Sequence, residues 1–128
     1  MGRDVSAEDY KEGQRLRVVL RAEVDAALAN CDGLVLPTLP IPAPVIGAAT
    51  VRVGHSDEAI RPLTLRLTQL FNLTGHPAVS LPCGDAHGRL PCGLQFVGHL
   101  QATTDLLSLA LACEPQVTID PPRCAGRF

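Results

Sequence analysis

The sequence predicts an α/β fold with about three strands and three helices. Three observations carry that reading. Apolar residues recur at three- and four-residue intervals across positions 6–30, as on one face of a helix. The run Gly33-Leu34-Val35-Leu36 has no polar alternation, as in a strand covered on both faces in the parallel part of a sheet. Two more short apolar runs, 78–82 and 93–97, are bounded by turn residues and followed by a strongly apolar helical stretch. The order helix, strand, helix, strand, strand, helix is an α/β pattern.

Each element has its own signature. Ser6 with Asp9 three residues later resembles a capping box, and Leu16, Val19, Leu20, Val24, Ala27 and Leu28 then form one stripe. Lys11, Arg15, Arg17, Arg21, Glu23 and Asp25 take the remaining surface, and Asn30 and Gly33 end the helix. After the strand at 33–36, Pro37, Pro40, Pro42 and Pro44 exclude helix and central strand, so 37–47 reads as a rigid extended loop. Its P-x-x-P spacing also fits an SH3 or WW ligand, although its place directly after a buried strand favours a scaffold loop. Residues 47–61 read as a loop. Pro62 suits a first-turn position, Leu63, Leu67, Leu70 and Phe71 make a stripe, and Gly75 sits where a C-terminal cap belongs, which predicts a helix over 62–74. Gly84–Arg89 is turn chemistry between the strands 78–82 and 93–97. The last helix, 104–113, is apolar nearly all round, which implies deep burial, and Pro115 stops it. The tail 114–128 has no clear periodicity.

Composition narrows the function classes. The chain has 128 residues, 46% hydrophobic and 19% charged, so it can form a core and is not of disordered type. A formal charge of −2 excludes the broad basic footprint of a nucleic-acid binder. No apolar run approaches the roughly 20 residues of a membrane span, and the N-terminus lacks the order of a secretory signal. A cytoplasmic setting follows as the expectation. Five cysteines at 31, 83, 92, 113 and 124 match neither a zinc site nor a disulfide scaffold, and they read as small buried hydrophobes. Cys83 and Cys92 flank a turn and can approach one another. No metal or cofactor is implied. His55-Ser56-Asp57 holds the residue types of a hydrolytic triad, but sequence neighbours do not converge as triads do.

Three stretches resemble the amidase-signature hydrolases. They are Asp32-Gly-Leu-Val-Leu-Pro-Thr-Leu-Pro-Ile-Pro-Ala-Pro-Val-Ile-Gly47, Phe71-Asn-Leu-Thr-Gly-His-Pro-Ala-Val-Ser-Leu-Pro-Cys-Gly84 and Leu90-Pro-Cys-Gly-Leu-Gln-Phe-Val-Gly98. They occur in the family's order and close to its spacing, so the resemblance covers residues 9–114. It implies that 1–128 is a C-terminal portion of the mixed-sheet, helix-covered amidase-signature fold. It also implies hydrolysis of carboxylic amides by a Ser–cis-Ser–Lys triad, with a serine nucleophile and backbone N–H groups holding the oxyanion.

By that pattern the triad is absent here. Ser6, Ser56, Ser80 and Ser108 have neither a glycine neighbour nor a second serine beside them. The sole lysine, Lys11, matches no catalytic motif, and arginine stays protonated. Catalytic residues are therefore none. Thr38, Phe71, Asn72, Thr74 and Gly75 are the candidate substrate-binding residues, bordering the pocket of a complete enzyme, and Ser80 reads as a strand hydroxyl satisfying local backbone. The family includes a tRNA-linked amidotransferase component in which an acidic residue shortly before the Asn helps hold glutamine. Leu63–Leu70 has no carboxylate, which argues for a general amidase relative.

The expected partners are a small-molecule amide in the complete enzyme and either a complementing N-terminal amidase segment or a second copy. Neither nucleic acid nor membrane is expected. A competing reading is a non-enzymatic assembly module that adds to a partner's sheet or dimerises. A cysteine hydrolase using Cys83 with His76 or His87 is a third.

Overall fold

The computed structural model describes residues 4–86 and 90–117. Helix α1 (Ala7–Leu28) opens on a complete capping box. The Ser6 hydroxyl accepts the Asp9 N–H at 3.0 Å, and the Asp9 carboxylate accepts the Ser6 N–H at 3.1 Å. Only the second half of its apolar stripe is covered. Val24 and Leu28 are buried, whereas Leu16 and Val19 remain 48% and 45% exposed.

Three strands form an antiparallel sheet in the order β1-β5-β4, built from β1 (Leu34–Pro37), β4 (Ala78–Ala86) and β5 (Leu90–Val97). Val97 is the hinge of the register, facing Leu34 on one side and Ala78 on the other. β5 alone has neighbours on both sides, and its last residues Gln95, Phe96 and Val97 are the buried ones. The run 33–36 reads as a parallel strand covered on both faces. Instead β1 is an antiparallel edge strand whose Val35 is 54% exposed. A continuous apolar run reports burial only when both faces have partners, and here one face lacks them. The strands read as 78–82 and 93–97 extend to Ala86 and from Leu90, with a bulge between Pro82 and Asp85. His87, Gly88 and Arg89 lie outside the described residues.

Residues 47–61 are not a plain loop. β2 (Thr50–Val53) and β3 (Ser56–Ala59) make a separate hairpin around Gly54-His55, with Val53 facing Ser56 and an exposed Arg52–Asp57 ion pair at 3.4 Å. The β-branched Thr50, Val51 and Val53 carry the strand preference that polar His55–Glu58 masked. The helix read over 62–74 is two short ones, α2 (Ile60–Leu65) and α3 (Gln69–Thr74). At the break, Arg66 and Thr68 donate to carbonyls three residues back, and the Thr68 hydroxyl also reaches the Leu65 carbonyl. The Leu67 carbonyl is taken by the Gln95 side-chain amide at 3.2 Å, so β5 captures an oxygen that a continuous helix would use.

Helix α4 (Thr103–Val117) packs on β4 and β5 through Leu106 and Ala110. It continues two residues past Pro115, which removes one helical donor without ending the element. It is also less buried than its composition implies, since Leu107 and Leu111 are 53% and 70% exposed. Beyond Val117 the tail lies outside the described residues. The core where α1, α3 and the sheet meet is Val24, Leu28, Phe71 and Val97, with Leu34, Leu36 and Leu70 against it.

Candidate functional site

The end of β1 carries the first part of the site. The Thr38 N–H donates to the Gly93 carbonyl at 2.8 Å and so extends the ladder one residue past Pro37. Above Gly93 the Thr38 and Ser80 hydroxyls meet at 2.5 Å. A methyl group on Gly93 would lie 2.7 Å from the Ser80 oxygen and 2.8 Å from the Thr38 oxygen, so the close approach of these side chains requires glycine. Ser80 therefore bonds a side chain across the sheet rather than its own backbone. Beyond Thr38 the Pro-rich segment 37–43 walls an open cleft of about 390 Å³ whose opposite side is Cys83 and Pro91–Leu94. Proline supplies no N–H and a fixed φ, so this wall is stiff and mainly apolar.

The end of α3 holds the other four sequence-predicted residues, none of which lines the cleft. Gly75 adopts φ +83 and returns its N–H to the Phe71 carbonyl at 2.8 Å, a left-handed cap that other residues adopt at a cost. The next carbonyls are held from α1. Arg17 Nε donates to the Leu73 oxygen at 2.5 Å and Arg21 Nε to the Thr74 oxygen at 2.8 Å. Asp25 accepts from His76 Nε2 at 3.1 Å, while His76 Nδ1 and the Thr74 hydroxyl are 2.9 Å apart. A carboxylate can only accept, so Nε2 carries the ring proton on that side. Thr74 and His76 are both buried, and among the described residues no buried side-chain polar atom lacks a partner.

The five sequence-predicted binding residues therefore divide. Phe71 is a core side chain and Thr74 is fully buried, so both are spent on holding the helix end. Asn72 and Gly75 face solvent on α3, and Thr38 is half-buried at the cleft. The roles of Arg17, Arg21 and Asp25 escaped the sequence reading, which placed them on the open helix surface, and His76 entered it only as a partner for Cys83. Their signal was present: positions 17, 21 and 25 recur every fourth residue and form a polar stripe beside the apolar one.

Every serine hydroxyl has a partner. Ser6 bonds Asp9, Ser56 the Val53 carbonyl, Ser80 Thr38 and Ser108 the Thr104 carbonyl. His76 is engaged by Thr74 and Asp25, not by Cys83, and burial together with neighbouring Cys92 pushes the Cys83 thiol pKa up. A raised pKa opposes the thiolate that a nucleophilic cysteine needs. The Cys83–His87 pairing lies outside the described residues. Among the described residues no group of three or more His, Cys, Asp or Glu could hold a metal ion, and no helix is long and apolar enough to cross a membrane.

Known proteins resemble this chain in sequence and in arrangement. A glutamyl-tRNA(Gln) amidotransferase subunit from Synechococcus sp. (strain CC9902) is 38% identical over 105 residues, covering 79% of this chain and 20% of the relative. The corresponding subunit from Prochlorococcus marinus (strain MIT 9303) is 34% identical over 93% of this chain and 24% of its own length. The chain thus spans about a fifth to a quarter of the curated relatives it matches. Among solved structures, an amidase superposes with a TM-score of 0.85 at 33% identity, covering 91% of this chain and 26% of that one. A 6-aminohexanoate cyclic dimer hydrolase does so with a TM-score of 0.74 at 26% identity, over 93% of this chain and 27% of its own. The family model described as Amidase matches residues 1–107. With its three motifs on the β1 end, the α3 end and the central strand of one small α/β unit, the chain belongs to the Amidase family.

Proposed function

We propose that this chain is a C-terminal portion of an amidase-type hydrolase acting on carboxylic amides, that it walls the amide cleft, and that it does not hydrolyse amides alone. The observation that carries this reading is the commitment of its serines. All four hydroxyls are engaged in local or cross-strand hydrogen bonds, none of them with Lys11. Nucleophilic catalysis needs a hydroxyl held by a general base; among the described residues no serine bonds a lysine or histidine, and the Ser6 bond to Asp9 belongs to the exposed helix cap.

Within that reading Thr38, on the cleft, and Asn72, exposed at the helix end, are the two of the five left to meet bound substrate, while Gly75 caps that end and Phe71 and Thr74 fix it from behind. The α2–α3 stretch Leu63–Leu70 carries no carboxylate to hold a substrate ammonium group. That favours a neutral amide over glutamine, even though the two curated relatives are amidotransferase subunits.

The test has two arms. The isolated chain, assayed with short aliphatic and aryl amides, should give no serine-dependent turnover. Co-expression with an amidase N-terminal segment carrying the Ser–cis-Ser–Lys triad should give turnover whose KM rises on Thr38→Val. Hydrolysis by the chain alone that is lost on Ser80→Ala would overturn the proposal. A second reading, an assembly module without an amide ligand, is favoured by the open edges of β1 and β4. It would be supported by tight association with the N-terminal segment and no restored turnover.

A further inference from the structure

Two cysteines share one wall of the cleft. In the antiparallel ladder Pro82 faces Gly93 and Asp85 faces Pro91, so Cys83 and Gly84 together oppose Cys92 across the bulge. A bulge of this kind places two residues of one strand against one of the other. Directly opposed residues in an antiparallel pair lie about 4.5–5.5 Å apart at Cα and point to the same face. Disulfides span Cα separations of roughly 4.4–6.8 Å. Cys83 and Cys92 both line the cleft, both are half-buried, and both are free thiols.

We propose that Cys83 and Cys92 form a dithiol modification site, which closes to a cross-strand disulfide on reaction with a small-molecule disulfide and thereby reshapes the cleft wall opposite the Pro-rich segment. The exchange balances in two steps. The Cys92 thiolate attacks one sulfur of the small disulfide, forms a mixed disulfide and releases one small thiolate. Cys83 then loses its proton to solvent and attacks the Cys92 sulfur, which forms the protein disulfide and releases the second small thiolate. The protein loses two electrons and two protons, and the small disulfide becomes two thiols. Burial keeps the Cys83 thiol protonated longer than an ordinary cysteine, which disfavours Cys83 as the first attacking group and makes its closing attack the slower step.

The small disulfide needs access, and the cleft supplies it. The paired strands hold Cys83 and Cys92 opposite one another in the folded chain. Folding therefore favours closure beyond what the short intervening segment achieves when unfolded.

The experiment uses the full chain and oxidised glutathione. After alkylation and digestion, mass spectrometry should find a peptide linking Cys83 to Cys92, with glutathione retained on neither. In Cys83→Ser, Cys92 should keep glutathione as a stable mixed disulfide. The ratio of closed to reduced pair at a fixed glutathione ratio should be on the order of a hundredfold higher in buffer than in urea. Stable glutathione on both wild-type cysteines, equal closure in buffer and urea, or preferential linkage to Cys31 or Cys113 would each overturn the proposal.

Discussion

Above Gly93 the Thr38 and Ser80 hydroxyls lie 2.5 Å apart, in space that any β-carbon on residue 93 would enter. Gly93→Ala must push one hydroxyl aside, and the Thr38 β-carbon, at 3.2 Å, leaves little room on its side. The expected loss is about 2 kcal/mol, the ordinary cost of overpacking by one methyl group, read as a lower urea midpoint at constant slope. If the Ser80 oxygen is the obstacle, adding Ser80→Ala should recover part of that loss. An equal loss with and without the Ser80→Ala change would show that the clash lies elsewhere. The same pair marks how far the sequence could be read at this scale. The motif glycine and Thr38 were both visible in it, but Ser80 read as a local hydroxyl. Its partner lies across the sheet on another strand, and sequence spacing does not encode which side chains meet there.

At the scale of elements, α1 was legible and the segment after Pro62 was not. The first was set locally, by Ser6, Asp9 and a stripe at helical spacing. The second was decided by tertiary contacts, because Gln95 on β5 takes the Leu67 carbonyl and the chain turns there. The hairpin of β2 and β3 was missed for a related reason: its polar half, Ser56–Ala59, pairs through backbone and carries no apolar alternation. The local origin of α1 makes its N-terminus sensitive to acid. The Ser6 side chain, with its N–H, holds the Asp9 carboxyl below the usual range, and Arg15 does the same to Glu12 through bonds of 2.7 and 2.8 Å. Both pKa values are lower folded than unfolded. Their stabilisation is therefore present above the unfolded carboxylate values, near 4, and is lost as pH falls through the folded ones. Protection factors in the first two turns of α1, taken against the intrinsic exchange rate at each pH, should fall below about pH 4 while the turns around Leu28 keep theirs. Because both carboxylates stand in water, the effect should be small and weaken with salt. Ser6→Ala should reduce the pH dependence, and an unchanged profile in that variant would assign it to other carboxylates.

For the molecule as a whole, the apolar fraction and the buried core disagree. The sequence is 46% hydrophobic, yet the buried apolar residues among those described are Val24, Leu28, Leu63, Phe71, Phe96, Val97, Leu106 and Ala110. Leu16, Val18 and Val19 on α1, Leu107 and Leu111 on α4, and Val45 and Ile46 after the prolines are all exposed by 45% or more. Composition reported how much apolar side chain the chain carries, and it could not report how much of it finds cover within 128 residues. Fully covering one such leucine or isoleucine is worth about 2 kcal/mol, so the open surface is a substantial driving force for association. In the solved amidase this unit corresponds to about a quarter of the chain, which leaves a large remainder of that fold to lie against its equivalent. Without such a neighbour, the isolated chain should self-associate, with a weight-average sedimentation coefficient that rises with concentration. Leu111→Glu and Ile46→Glu should each lower that rise, because each puts a charge in a patch that association must dry. Neither side chain supports the core, so near-unchanged helix content in both variants separates lost association from unfolding. A monomer at every concentration would mean that these side chains tolerate water, and the driving force argued from their exposure would fall with it.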